Sequence, residues 1–141
     1  MTHEELKLKL TEKLRSFIKK KETENRVHLN EWLYIEEIGL QTYVRYSTRF
    51  IDDRRCEALD RAYTCIAPKF RGRGFYSVVF EVFEEVAKEF GLLLYIESVI
   101  SNIVKSKIKR SGYLLKSPAE SSYYKDFSDA NQICASKADS K

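Results

Sequence analysis

Apolar residues near the start of the chain fall three or four positions apart, at Leu6, Leu10, Leu14, Phe17 and Ile18, with Lys and Glu between them. That spacing lines them up on one stripe of a helix and predicts a long amphipathic helix from about Glu4 to Lys20. Acidic and basic residues mix on its polar side, which makes the stripe a core face rather than a membrane or partner surface. The period then changes from helical to alternating. Glu31 to Glu37 reads as a strand, Gly39 as a turn, and Leu40 to Phe50 as a longer strand. On the longer strand Leu40, Thr42, Val44, Tyr46, Thr48 and Phe50 share one face, and Gln41, Tyr43, Arg45, Ser47 and Arg49 the other. After the polar connection Asp52-Asp53-Arg54-Arg55, residues Glu57 to Ile66 make a third strand, and short turns between consecutive strands predict an antiparallel meander.

Helical spacing returns with Phe75, Val78, Val79, Val82, Phe83, Val86 and Phe90, a helix from about Gly74 to Phe90 that Gly91 stops. The unbroken apolar run Leu92 to Ile96 then reads as a strand buried on both faces, parallel to a neighbour and reached through the crossover helix. A short second helix and a final strand or hairpin, Tyr113 to Phe127, complete the pattern, and Ser128 to Lys141 reads as a frayed polar tail. The expected class is therefore α/β (α+β), a mixed and mostly antiparallel sheet flanked by helices, in one domain over residues 1–127 with a flexible tail over 128–141.

Where the third strand meets the crossover helix, the chain reads Ile66-Ala67-Pro68-Lys69-Phe70-Arg71-Gly72-Arg73-Gly74-Phe75-Tyr76. Glycines at 72 and 74 permit positive φ and leave no Cβ in the way of a ligand, so successive amides can converge on an anion. The following helix adds its own free N–H groups, and Arg71 and Arg73 add fixed charge with the forked geometry that suits phosphate. The plainer alternative is a basic turn. Neither common nucleotide signature fits: Gly74 is followed by Phe75 and Tyr76 rather than Lys-Ser/Thr, and no third glycine completes a dinucleotide fingerprint.

Ile66-x-Pro68 followed by Arg71-x-x-Gly74-x-Tyr76 is similar to the pyrophosphate loop of the GCN5-related N-acetyltransferases (the GNAT family), which reads Gln/Arg-x-x-Gly-x-Gly/Ala after a Val-x-Pro strand end. The likeness continues through Leu92 to Ile96, Asn102, the helix Ile103 to Arg110, and Gly112-Tyr113, which resemble the family's fifth strand, polar junction, short helix and closing Gly-Phe/Tyr. It covers about residues 60–125, and within the family the wording is similar to small bacteriophage-type members. The resemblance implies a splayed parallel strand pair, acetyl-CoA as cosubstrate with no metal, and an N-acetyltransferase reaction in which an amine attacks the thioester directly. It also implies that Arg71, Gly72, Arg73, Gly74, Phe75 and Tyr76 hold the diphosphate, that amides near Ile66 and Ala67 bind the oxyanion, and that Asn102 faces pantetheine. Two departures stand out: Tyr76 is bulky where the family has Gly or Ala, and no tyrosine stands near Lys109, where the family's general acid falls.

Candidate proton-transfer groups follow from position. Glu97 ends the buried run, where partial desolvation would raise a carboxylate's pKa and make it a base, and Glu57 and Asp60 on the preceding strand are alternatives. Tyr124 is the candidate acid, with Tyr113, Tyr123 or water as alternatives.

Composition narrows the picture further. The 141 residues carry 25 Lys and Arg against 21 Asp and Glu, a net charge of +4 that favours anionic ligands without choosing one. No apolar run is long enough to span a bilayer and no signal peptide is evident, so a cytoplasmic protein without a membrane partner is expected. Cys56, Cys65 and Cys134 are widely spaced and ungrouped with His3 or His28, which points to reduced thiols rather than a disulfide framework or zinc site. The acceptor amine stays open among a host protein, tRNA and a small molecule, and an edge strand could pair two copies as a homodimer. A non-catalytic binding or regulatory protein of this fold is the main alternative. A nucleic-acid-binding module using the basic loop and exposed tyrosines is another.

Overall fold

The computed structural model describes residues 1–24, 28–97, 102–117 and 121–128. In chain order the elements are α1 (His3–Glu24), β1 (Leu29–Ile35), a 3-10 turn (Glu36–Ile38), β2 (Leu40–Ile51), β3 (Arg54–Cys65), a second 3-10 turn (Pro68–Phe70), α2 (Phe75–Glu89), β4 (Leu93–Ile96), α3 (Asn102–Arg110), β5 (Leu114–Ser117) and β6 (Ser122–Asp126). The strands form one six-stranded sheet in the order β1-β2-β3-β4-β6-β5. Every pairing is antiparallel except β3 with β4, which is parallel. This is the mixed, mostly antiparallel sheet with a crossover helix that the sequence pattern leads one to expect.

Burial follows the apolar periods. Leu6, Leu10, Leu14, Phe17 and Ile18 of α1 are all buried, and they join Val79, Val82, Phe83 and Val86 of α2 in one cluster with Leu33, Val44, Leu59, Leu94 and Ile96 of the sheet. Ile108 of α3 joins the same cluster, so the helices cover one sheet face. The other face carries a small second cluster of Ile51, Cys56, Ala58, Leu93 and Tyr95, with Tyr124 packed against it. Because β4 is covered on both sides, all of Leu93–Ile96 is buried, which is why its sequence shows no alternation.

The turns show how local residues fix the layout. Asp52 and Asp53 both have positive φ (51° and 65°), the conformation of a tight two-residue hairpin, and short polar side chains tolerate it better than most. As a result Arg54 and Arg55 already belong to β3 rather than to the connection. Glu36 and Glu37 leave the ladder in a 3-10 turn that Gly39 closes at φ 59°. A Cβ on Gly39 would stand 2.5 Å from that of Ala67, and the Ala67 N–H donates to the Ile38 carbonyl at 3.2 Å. The β1–β2 turn therefore braces the chain as it leaves β3. Phe50 departs from the expected pattern: it is 64% exposed, because it pairs with Arg55 beside the hairpin turn, away from the strip of sheet beneath the helices.

Among the described residues no helix is long and apolar enough to cross a membrane. The expected tail from residue 129 onward lies outside the described residues.

Alkaline titration tests the core around Tyr46. Burial, reinforced by the Glu57 carboxylate, raises its phenol from the ordinary value of 10.0 to about 12. A raised acid favours the folded state only while protonated. This contribution should be intact below pH 10 and disappear as pH climbs to about 12. Urea midpoints measured across that window should fall less steeply in Tyr46→Phe than in the parent protein; identical slopes would exclude Tyr46 as the titrating group.

Candidate functional site

The parallel ladder is short. Ala58, Leu59, Asp60 and Arg61 of β3 pair with Leu93, Leu94, Tyr95 and Ile96 of β4, after which β3 continues to Cys65 paired with β2 but not with β4. An irregularity in the β2–β3 register falls at the same place, where Val44 pairs with Arg61 but Tyr43 with Tyr63, leaving Ala62 as the extra residue. Beyond this fork lies a cleft of about 690 Å3, walled by Tyr63, Thr64, Cys65 and Ile66, then by Phe70, Arg71, Gly72, Gly74, Phe75, Tyr76 and Ser77, and by Val104 of α3.

The loop across the mouth has the conformation that its glycines allow. Gly72 and Gly74 stand at φ 76° and 83°. Gly74 is the N-cap of α2 and offers no side-chain cap, so the first amides of the helix remain available along the cleft wall. His3 closes in behind it: its Nε2 lies 2.8 Å from the Arg73 carbonyl, its ring meets Phe75 edge-on at 5.1 Å, and a Cβ on Gly74 would come 2.9 Å from its Cε1. Arg71 turns inward. Its Nε donates to the Ile66 carbonyl at 2.8 Å, which fastens the loop to the end of β3.

Six of the expected cofactor residues thus meet in the cleft wall: Ile66, Arg71, Gly72, Gly74, Phe75 and Tyr76. Arg73 is exposed and lies over the Phe70 ring at 5.5 Å, outside the wall. Ala67 has its amide engaged by Ile38, which leaves the oxyanion expectation there without a free N–H. Asn102 opens α3, but its side chain lies outside the described residues.

The candidate proton-transfer residues sit elsewhere. Glu97 follows β4 and is held by arginines: Arg45 pairs with its carboxylate and Arg49 Nη2 approaches it at 3.2 Å. The same arginines reach Asp60, which is fully buried and accepts from Arg49 Nε at 3.1 Å, Arg49 Nη2 at 2.7 Å and Ser47 Oγ at 3.1 Å. The partly desolvated strand end expected to make Glu97 a base thus also carries two guanidinium groups. Tyr124 is half-buried against the second cluster, and burial raises its pKa. Tyr113 donates to Glu84 Oε2 at 2.8 Å, and burial with that bond drives its pKa far upward. Tyr123 is buried in the main core. On α3 the position of the family's acid is covered by exposed Lys109 and buried Ile108. The phenols in the cleft wall belong instead to Tyr63 and Tyr76.

Sequence reading missed Arg61. It is 4% exposed, and its Nη1 donates to the Tyr76 hydroxyl at 2.8 Å. A signal was present: two positions after Leu59 on a strand, Arg61 falls on the core side. His3 gave no such signal, because it reaches the loop from the far end of the sequence. Among the described residues no group of three or more His, Cys, Asp or Glu side chains is placed to hold a metal.

The sequence matches no protein-family model and no curated protein. Solved structures do resemble it. A chain of the KacTA–DNA complex is 17% identical, at TM-score 0.50 over 89% of this chain and 86% of that one. AtaT complexed with acetyl-methionyl-tRNAfMet is 12% identical, at TM-score 0.51 over 86% of each chain. At such identities the likeness is one of fold, and the fold is GNAT-like.

The loop geometry can be checked directly. Gly74→Ala should cost about 1–2 kcal/mol from its left-handed φ alone, with more from His3, as measured by chemical denaturation; a loss near zero would mean the loop does not hold this conformation. In a Cys134→Ser background, iodoacetamide should label Cys65, on the cleft wall, at least about tenfold faster than buried Cys56, whose thiol burial pushes up. Equal labelling would contradict the open cleft.

Proposed function

We propose that this protein binds an acyl-CoA, acetyl-CoA in the simplest case, in the cleft beyond the β3–β4 fork and transfers the acyl group to a primary amine. The observation that carries the reading is the uncapped N-terminus of α2, presented beside a cleft by left-handed Gly72 and Gly74. Diphosphate there would take the free amides and the positive end of the helix, with Arg71 adding charge from the strand side. The pantetheine arm would then run along the wall formed by Thr64, Ile66 and Val104 towards the fork.

In the reaction the amine nitrogen attacks the thioester carbonyl carbon. The C–N bond forms, the C–S bond breaks, and the proton lost by nitrogen ends on the CoA sulfur. Holding both reactants in one cleft supplies much of the rate, since a bimolecular encounter becomes effectively intramolecular. Neither Glu97 nor Tyr124 is needed for proton transfer in this reading. Water, or a phenol on the cleft wall, serves between amine and thiolate.

A row of aromatic rings favours a ring-bearing acceptor. Trp32, Tyr43 and Tyr63 are in register across β1, β2 and β3 on the face away from the helices, with Trp32 5.0 Å from Tyr43 and 5.8 Å from Tyr63. The row ends at the cleft, because Tyr63 also lines it. Nucleobases stack on such platforms, so tRNA is the acceptor preferred over a host protein or a small amine. AtaT, of similar fold, is itself complexed with acetyl-methionyl-tRNAfMet. The absence of a tyrosine at Lys109 supports a second reading, in which the cleft binds CoA and the protein acts by occupancy alone.

Calorimetric titration separates these readings from a protein that does not use CoA. Acetyl-CoA and CoA should bind with micromolar affinity, and Arg71→Ala should weaken both by about 10–100-fold, the worth of one charge-assisted phosphate contact, while remaining folded by circular dichroism. Absence of binding to the folded parent protein would refute the proposal.

A further inference from the structure

Arg61 is a buried cation without a counter-ion. It is 4% exposed, and among the described residues it forms no ion pair. Its Nη1 donates to the Tyr76 hydroxyl, and among the described residues its Nε is buried with no partner. Removing a guanidinium from water is costly unless anions or several acceptors replace the solvent, and buried polar groups in folded proteins are nearly always satisfied. Arg45 and Arg49, half-buried on the opposite face of the sheet, obey that rule and share the carboxylates of Asp60 and Glu97. Among the described residues Arg61 is the buried arginine, and it forms no such pair.

Arg61 makes the last pair of the parallel ladder, opposite Ile96, so it sits at the floor of the fork. Tyr76 lines the cleft, and its hydroxyl reaches down to Arg61. Because the phenol oxygen accepts from Arg61, the phenol proton is free to donate. The cleft wall therefore offers the O–H of Tyr76 with the uncompensated Arg61 guanidinium directly behind it, so a carboxylate accepting from the phenol would lie close to a buried positive charge.

We propose that Tyr76, with the buried Arg61 charge behind its hydroxyl, forms a carboxylate-binding site in the cleft, selecting acyl donors whose chain ends in a carboxylate, of the succinyl or malonyl class, over uncharged acyl groups. This rests on the acyl-CoA reading above, in which diphosphate lies at the α2 N-terminus and the acyl end points to the fork. A bulky tyrosine at the position where the family has Gly or Ala then has a use: it carries a hydroxyl from the mouth of the cleft to its floor.

The test is calorimetric titration of the full chain with succinyl-CoA, with butyryl-CoA of equal chain length but no charge, and with CoA. Succinyl-CoA should bind at least about tenfold tighter than butyryl-CoA, the discrimination expected of a charged hydrogen-bonded site. Arg61→Met should abolish the preference while CoA affinity stays within about threefold. Tyr76→Phe should reduce the preference, and it decides the matter if Arg61→Met does not fold. Equal affinity for the two thioesters, or a preference that survives in a folded Arg61→Met, overturns the proposal while leaving CoA binding intact. Failure of all three ligands, CoA included, overturns the acyl-CoA reading and this site with it.

Discussion

The parallel pairing of β3 with β4 is the constraint on which the remaining architecture depends. Two parallel neighbours cannot be joined by a tight turn, so the chain must travel back along the sheet before β4 begins. α2 makes that return. Its first residue, Phe75, consequently follows shortly after β3 ends at Cys65, and its N-terminus is delivered to the point where the strands part. The pairing also requires cover on both faces of β4, which explains the continuous apolar run there and the stripe of Val79, Val82, Phe83 and Val86 above it. Cleft, free helix amides and fork are thus consequences of a single topological choice.

The short segment between β3 and α2 reconciles that topology with local chemistry. It has to reverse direction within a few residues, and left-handed conformations at Gly72 and Gly74 accomplish this without the Cβ clash other residues would suffer. Long-range contacts then hold the segment. Arg71 fastens one side to the Ile66 carbonyl, His3 of α1 approaches Gly74 from the other, and Ala67 is packed on Gly39. A loop rich in glycine, which costs more conformational entropy to order than others, is in this way fixed by neighbours remote in sequence.

The two faces of the sheet treat charge differently. On the face away from the helices, Asp60 and Glu97 are matched by Arg45 and Arg49, and the Arg49 guanidinium also lies 3.5 Å from the centre of the Tyr95 ring. Beside the small apolar cluster on this face, the network adds groups whose charges balance, so a carboxylate that the sequence places at a strand end becomes part of a closed ion cluster. On the helix face Arg61 has no such balance. The contrast arises within neighbouring positions of one strand, Asp60 and Arg61, whose side chains point to opposite sides.

Periodicity alone determined the helices, the meander, the buried run of β4 and the Arg/Gly junction, because each depends on residues close together in the chain. Leu6 to Ile18 and Leu40 to Tyr46 are buried as their spacing requires. The residues of the cleft wall from Ile66 to Tyr76 were equally legible, since glycine spacing and strand-to-helix order are local features. Tertiary structure decided the rest. Whether Glu97 is a free carboxylate or an ion-pair partner depends on Arg45 and Arg49, which reach it from a different strand. The placement of β6 between β4 and β5, the approach of His3 to Gly74 and the isolation of Arg61 likewise arise from segments far apart in sequence. Local pattern fixes which face a side chain takes; what it meets on that face is set by the packing of the whole chain.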